Sequence, residues 1–253
     1  MILAIDIGNT TVALGGLEDG RVCFVLHMDT DPALSQEQYL TKIRALLAAH
    51  DPLELEGAVL TSVVPQLTDT MAHCAACLCG HYPVIVGTDI RTGLIMGVSA
   101  PEKVGRDRIV DAAYAAAHYP LPVITVDLGT ATTFSVVDQR RVFRGGIIAP
   151  GVCTGLDALG DRCAQLPRLE LEQPRQVIGG DTVQAMLSGA VLGAAALLDG
   201  MKERIEEELG QRATLVVTGG LAKYVIPACR ASLEYDPDLL MKGLGYLYRL
   251  NKP

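Results

Sequence analysis

The chain has 253 residues, 49 % of them apolar and 20 % charged, which argues against disorder and leaves room for one large or two modest domains. A net charge of −8, from 21 basic and 29 acidic side chains, argues against binding a phosphate backbone through bulk charge. With no tryptophan and three phenylalanines, the core must be Ala, Val, Leu and Ile, and stacking platforms for single-stranded nucleic acid are few.

The chain opens Met1-Ile2-Leu3-Ala4-Ile5-Asp6, a strand pattern with no basic leader. Ile2 to Ile7 and Thr11 to Leu17 read as strands around a Gly-Asn turn, and Arg21 to His27 as a third. The 3–4 residue recurrence of Tyr39, Leu40, Ile43, Leu46 and Leu47 predicts a helix from Gln36 to His50. A strand at Ala58 to Val63, a helix at Leu67 to Cys79 and a strand at Val84 to Val86 follow. Gly87 to Gly105 reads as loop, and Asp107 to His118 as a helix ended by Pro120. Val123 to Asp127, Phe134 to Val137, Val142 to Phe143 and Gly145 to Ile148 restart the strand pattern. After a polar stretch rich in Pro and Gln come a helix at Thr182 to Leu209, a strand at Leu215 to Val217, and helices at Lys223 to Ala231 and Asp238 to Leu250.

The apolar run from Ala185 to Leu198 is interrupted by Ser188 and stops at Asp199, short of the roughly 20 residues that span a bilayer, so it reads as a buried helix and no membrane is implied. Its small residues Gly189, Gly193, Ala194 and Ala195 suit either close packing on a partner or core filling. Seven cysteines, an odd number in a chain too large to need staples, fit reduced thiols in a cytoplasm. Cys74 and Cys77 have the spacing of half a zinc site, but no second pair answers them; with Cys79 they read as small apolar residues packed on a helix.

An internal repeat is the most informative feature. Ile2 to Thr11 matches Val123 to Thr132 at constant offset: an apolar strand, Asp, an apolar residue, Gly, then small hydroxyl or amide side chains. The period is about half the chain, which indicates a duplicated domain rather than a solenoid, with residues 1–119 and 120–253 as the halves.

Each copy delivers a carboxylate to a strand end. Gly8 is expected to take φ > 0, so that backbone N–H groups and Asn9, Thr10 and Thr11 converge on an anion. An acid beside phosphates needs a cation, and hydrated Mg²⁺ takes only one or two carboxylates, so Asp6 reads as its holder. Asp127-Leu128-Gly129-Thr130 repeats the arrangement and is expected to face the first copy across a cleft. Val216-Val217-Thr218-Gly219-Gly220 runs a strand into a glycine pair and a helix start, where backbone approaches a phosphorylated ligand closely.

Two Asp-x-Gly turns with a strand-Thr-Gly-Gly-helix element resemble the acetate and sugar kinase, Hsc70 and actin superfamily over the full length. Within it the chain is similar to the type III pantothenate kinases. The residues that carry this are Asp6-Ile7-Gly8-Asn9-Thr10, Thr61-Ser62-Val63-Val64-Pro65, Pro101 to Arg108, Asp127 to Thr132, Gly145 to Gly151, Gly180-Asp181-Thr182 and Thr218 to Ala222, in the family's order. The resemblance implies an α/β fold of two duplicated RNase H-like (actin-like ATPase) domains with a nucleotide cleft between them. It implies transfer of the ATP γ-phosphate to pantothenate, the first step of coenzyme A synthesis, by a homodimer.

The resemblance also assigns roles. Asp6, Ile7, Gly8, Asn9, Thr10, Thr11, Val12 and Ala13 would form the first nucleotide loop, with Thr130, Gly219 and Gly220 also near ATP. Asp127 would bind K⁺ or NH₄⁺, and Mg²⁺ would come with ATP at Asp6. Asp107, at a helix start between Arg106 and Arg108, is the expected general base, kept ionised by those cations and the helix dipole. Gly105, Arg106, Asp107 and Arg108 resemble the substrate loop, and Thr182 a further pantothenate contact. Two departures stand out: Arg106 replaces the family's usual Ala, and Val98-Ser99-Ala100-Pro101 lacks the aromatic common before the Pro. A nucleotide-binding regulatory module without turnover, or a phosphohydrolase of the same superfamily, are the alternatives.

Overall fold

The computed structural model describes residues 1–50, 54–87 and 89–252; Thr88, within the stretch expected to be loop, lies outside them. The period-2 apolar pattern builds the first sheet from β1 (Ile2–Ile7), β2 (Thr11–Glu18), β3 (Arg21–Asp29), β4 (Gly57–Ser62) and β5 (Val84–Ile85). Its order is β3-β2-β1-β4-β5, with β1, β2 and β3 antiparallel and β1, β4 and β5 parallel. Helices α1 (Gln36–Leu47) and α2 (Pro65–Cys79) enclose a cluster with Leu3, Ile5, Ile7 and Leu60, one face of the sheet. A reciprocal capping box between Ser35 and Gln38 starts α1, and left-handed Gly80 ends α2.

A two-residue strand, β6 (Ile95–Met96), interrupts the expected loop, and α3 (Arg106–His118) follows. The second sheet then forms from β7 (Val123–Leu128), β8 (Ala131–Val137) and β9 (Val142–Pro150). Helix α4 (Val152–Arg162), α5 (Thr182–Leu209), β10 (Thr214–Thr218), α6 (Ala222–Val225), β11 (Glu234–Tyr235) and α7 (Leu239–Asn251) complete the chain. The sheet order is β11-β10-β7-β8-β9-β6, so β7 to β11 repeat the connectivity of β1 to β5. The duplication read from the repeat is present in the strand order.

One detail of the repeat differs. Ile7 pairs with Val12, but Leu128 pairs with Thr132, so the second turn is one residue shorter. Its Ala131 carbonyl accepts the Gly129 N–H, as Thr11 does for Gly8 in the first. The sequence match therefore holds to the glycine and slips beyond it.

Contacts divide the chain into Met1–Leu94, Ser99–Ala117 and Asp238–Pro253 as one unit, and Ile95–Val98 and His118–Pro237 as the other. The closing helix thus groups with the first half, although the repeat suggested a boundary near residue 120. Its partners explain this: Met241, Leu244, Leu247 and Tyr248 share a cluster with Ile2, Ala4, Val59, Val110 and Ala113, covering the other face of the first sheet. Gly243 makes that packing possible, because a Cβ there would lie 2.6 Å from Val110 Cγ1 and 2.8 Å from its carbonyl oxygen.

Several expected elements change. Helix α4 was not expected, since Gly155 and Gly160 dilute its periodicity. The helix expected from Lys223 to Ala231 is only the four residues of α6 and a 3₁₀ turn, because Pro227 supplies no N–H. The two short strands expected between Val142 and Ile148 are one strand with a bulge near Gly145, at φ +103°. Helix α5 is not a buried helix throughout: 33 % of its most apolar stretch is buried. Met186, Leu187, Val191, Ala195 and Leu198 face the core, while Ala185, Gly189 and Gly193 lie exposed.

Near the end of α5, buried Glu206 accepts hydrogen bonds from Lys202, from Arg212 at 3.0 Å and from the Ala213 N–H at 2.9 Å. Burial by itself raises its carboxyl, but these donors outweigh it and hold the pKa below the ordinary value. A depressed folded pKa gives stability that is complete above the unfolded value, about 4.3, and is lost as pH falls through and below it. Glu206→Gln should flatten that acid arm in pH-dependent denaturant unfolding. Gly243→Ala should destabilise the fold by about 1–3 kcal/mol through overpacking, read as a lower urea midpoint with unchanged slope.

Candidate active site

In the first unit the register sets Asp6 opposite Thr61 on parallel β4 and opposite Ala13 on β2. Asp6 is half-buried at the strand end. The turn after it is held by its own backbone: Gly8 N–H donates to the Thr11 carbonyl at 3.0 Å, Thr30 Oγ1 donates to the Gly8 carbonyl at 2.7 Å, and Thr30 N–H to the Thr10 carbonyl at 3.0 Å. Gly8 is not among the positive-φ glycines, contrary to expectation. Space, not handedness, calls for glycine there: a Cβ would lie 3.0 Å from the Thr11 oxygen. Asn9 and Thr10 are exposed and Thr11 is half-buried, so all three can meet a ligand. Ile7, Val12 and Ala13 are buried in the two apolar clusters and offer only backbone.

At the start of α3 the Gly105 carbonyl accepts the Ile109 N–H at 3.3 Å, which puts Asp107 in the first turn, where the dipole favours an anion. Asp107 Oδ1 is buried and has no hydrogen-bond partner. It folds back over Gly105, where a Cβ would stand 2.5 Å from that oxygen. Arg106 does not support it: its Nη2 donates to the Glu102 carbonyl at 3.2 Å. Arg108 does: burial pushes its guanidinium pKa down, and the Asp107 charge opposes that shift.

In the second unit Asp127, next to last in β7, lies opposite Thr218 on parallel β10. A Cβ added at Gly219, which sits at φ +96°, would collide with Asp127 Oδ1, and one at Gly129 would lie 3.4 Å from Oδ2. The carboxylate thus takes the space a side chain at 219 would need. The Thr130 carbonyl accepts the Gly151 N–H at 3.1 Å and Thr154 Oγ1 at 2.7 Å, which ties the turn to α4 and leaves the Thr130 side chain exposed. Gly220 is exposed, with open space above it. Thr182 is the first residue of α5; the cap is Asp181, which accepts the Gln184 N–H at 2.8 Å.

Thr182 lines a cavity of about 690 Å³ between α4 and α5, with Thr132, Leu156, Met186, Gly189 and Gly193 among its walls. Sequence reading missed this feature because it missed α4. The cysteine run packs only in part: Cys74 Sγ donates to the Gln36 carbonyl at 3.4 Å and burial pushes the Cys74 and Cys79 thiols up to about 11, but Cys77, expected to pack with Cys74, is exposed because it falls on the outer face of α2. Among the described residues no group of three His, Cys, Asp or Glu side chains converges on a metal position.

Two duplicated RNase H-like units, each carrying an Asp-x-Gly turn at the end of its first strand, define the actin-like ATPase fold shared with sugar kinases. A ROK-family glucokinase from Streptomyces griseus, solved with glucose and AMPPNP, superposes with a TM-score of 0.52 at 13 % identity over 99 % of each chain. Within that class, residues 2–204 match the family model of the type III pantothenate kinases. A type III pantothenate kinase from Exiguobacterium sibiricum is 38 % identical over the whole of both chains. One from Bacillus cytotoxicus is 36 % identical over 99 % of this chain and 97 % of its own. The chain belongs to the type III pantothenate kinase family.

Because the Asp107 oxygen occupies the space a side chain at 105 would take, Gly105→Ala should lower kcat at least about tenfold by displacing the carboxylate. Stability should change by less than about 1 kcal/mol, as for a cap position. Paired turnover and urea denaturation measurements check both.

Proposed function

We propose that the chain transfers the γ-phosphate of ATP to the primary hydroxyl of pantothenate, giving 4′-phosphopantothenate on the route to coenzyme A, with Asp107 as general base. The observation that carries this is the buried Asp107 oxygen without a donor. A desolvated, unpaired acceptor costs about 1–3 kcal/mol or more, and an alcohol proton is the donor that would relieve it. Phosphoryl transfer asks for charge neutralisation, an in-line alcohol and an acceptor for its proton. Asp107 supplies the last of these.

The other demands fall to the turns. Exposed Asn9 and Thr10, half-buried Thr11 and the backbone of Ile7 to Ala13 would hold the ATP phosphates in one unit, and Thr130, Gly219 and Gly220 would meet nucleotide in the other. A single half-buried carboxylate suits a Mg²⁺ that keeps its waters and arrives with ATP, so Asp6 would hold it. The absence of side chains at Gly219 and Gly129 keeps the Asp127 carboxylate open to a small cation, so Asp127 would hold K⁺ or NH₄⁺. Bound there, the cations would offset phosphate charge that a chain of net charge −8 cannot balance in bulk.

Gly105, Arg106, Asp107, Arg108 and Thr182 would form the pantothenate contacts, with Arg108 orienting substrate and Arg106 acting from its position on Glu102. A homodimer is supported by the open side of α5: Gly189 and Gly193 line an apolar groove with Leu159, itself 41 % exposed. A cytoplasmic setting is supported by the seven free thiols.

Asp107→Asn should lower kcat by at least about 10²-fold in an assay with ATP, Mg²⁺, K⁺ and pantothenate. A loss of affinity alone would make Asp107 a binding residue, and steady ATP hydrolysis without acceptor would favour a phosphohydrolase.

A further inference from the structure

The side chains of the first sheet sort cleanly onto two faces. Leu3, Ile5 and Ile7 join the cluster under α1 and α2, whereas Ile2 and Ala4 join that under α7 and α3, so alternation puts Asp6 on the second face. On β4, Ala58 and Leu60 belong to the first cluster and Val59 to the second, so Thr61 shares the face of Asp6. The two are register partners on adjacent parallel strands, about 4.8 Å apart along the hydrogen-bonding direction. Thr61 is 0 % exposed and its Oγ1 has no hydrogen-bond partner. A buried hydroxyl without a partner is costly, and valine would fill the same space without that cost.

We propose that Thr61 is a positioning residue for the Asp6 carboxylate, its hydroxyl donating to Asp6 when Mg²⁺–ATP is bound and so fixing the rotamer in which the carboxylate meets the metal. This rests on the assignment of Asp6 to Mg²⁺–ATP. A turn of χ1 at either residue brings hydroxyl and carboxylate together, since side chains at paired positions of neighbouring strands lie side by side. The duplication supports it independently of the orphaned hydroxyl. Buried Thr218 stands opposite Asp127 in the same parallel register, so both halves put a threonine beside the acid that ends their first strand.

The test compares Thr61→Val and Thr61→Ser in the full chain, using calorimetric titration with ATP at graded Mg²⁺ and thermal unfolding without ligand. Thr61→Val should leave the unfolding midpoint unchanged or raise it while weakening Mg²⁺–ATP binding about tenfold to a hundredfold, the worth of one hydrogen bond to a charged group. Thr61→Ser should bring binding back to within about threefold of the parent, as it keeps the hydroxyl. Added to Asp6→Asn, Thr61→Val should cost little more, because the two act as one unit. Unchanged binding in Thr61→Val, or a loss that Thr61→Ser does not restore, overturns the proposal. If Asp6→Asn itself binds Mg²⁺–ATP normally, the assignment of Asp6 fails first; if only Asp6→Asn weakens binding, the role of Thr61 alone is lost.

Discussion

Parallel pairing of the first strand of each half with the strand that follows its crossover is the constraint on which the site depends. In β1 with β4 the register sets Asp6 opposite Thr61 one pair before its end, and in β7 with β10 it closes where Asp127 meets Thr218. A parallel pair needs a long crossover connection, and its strand ends all emerge on one edge, where ligands collect in open α/β sheets. Both acids are held there by ladders whose other members are almost wholly buried. A one-residue slip would send every side chain to the opposite face, turning Asp6 into the apolar cluster under α1 and α2 that Leu3, Ile5 and Ile7 now fill. Burial of the apolar residues therefore fixes the position of the acids.

Glycine controls how closely chain can approach those acids, and different glycines do so by different means. Gly219 combines a left-handed φ with a position where a Cβ would collide with Asp127. Gly105 yields the space that the Asp107 carboxylate occupies, while Gly8 and Gly151 let turns pack on neighbouring carbonyls. Such positions tolerate no Cβ without a shift, which is why glycine in this chain marks close approach as often as turn handedness.

The same economy governs charge. Glu206 is held by two cations and a backbone N–H, whereas one oxygen of Asp107 is buried with none. The first acid is a closed structural device. The second is left open, the kind of unsatisfied buried acceptor that calls for a functional explanation.

Much of this was legible in the residues. The alternation of Ile2 to Ile7 and Val123 to Asp127, the repeat, and the ordered family motifs determined the strands, the duplication and the family, because period and turn chemistry are local properties. What tertiary structure decided is non-local. Helix α7 joined the first unit through contacts with Val110 and Val59, far away in sequence, and α4 formed despite its glycines because α5 packs on it. The second turn lost a residue that the repeat had matched. Arg106 turned to the Glu102 carbonyl instead of to Asp107, and Thr61 became a buried hydroxyl without a partner. Sequence determined which acids end the strands, since a residue's place in a strand is set by its neighbours in the chain; only folding decided which donors reach them, since that depends on groups brought together from distant segments.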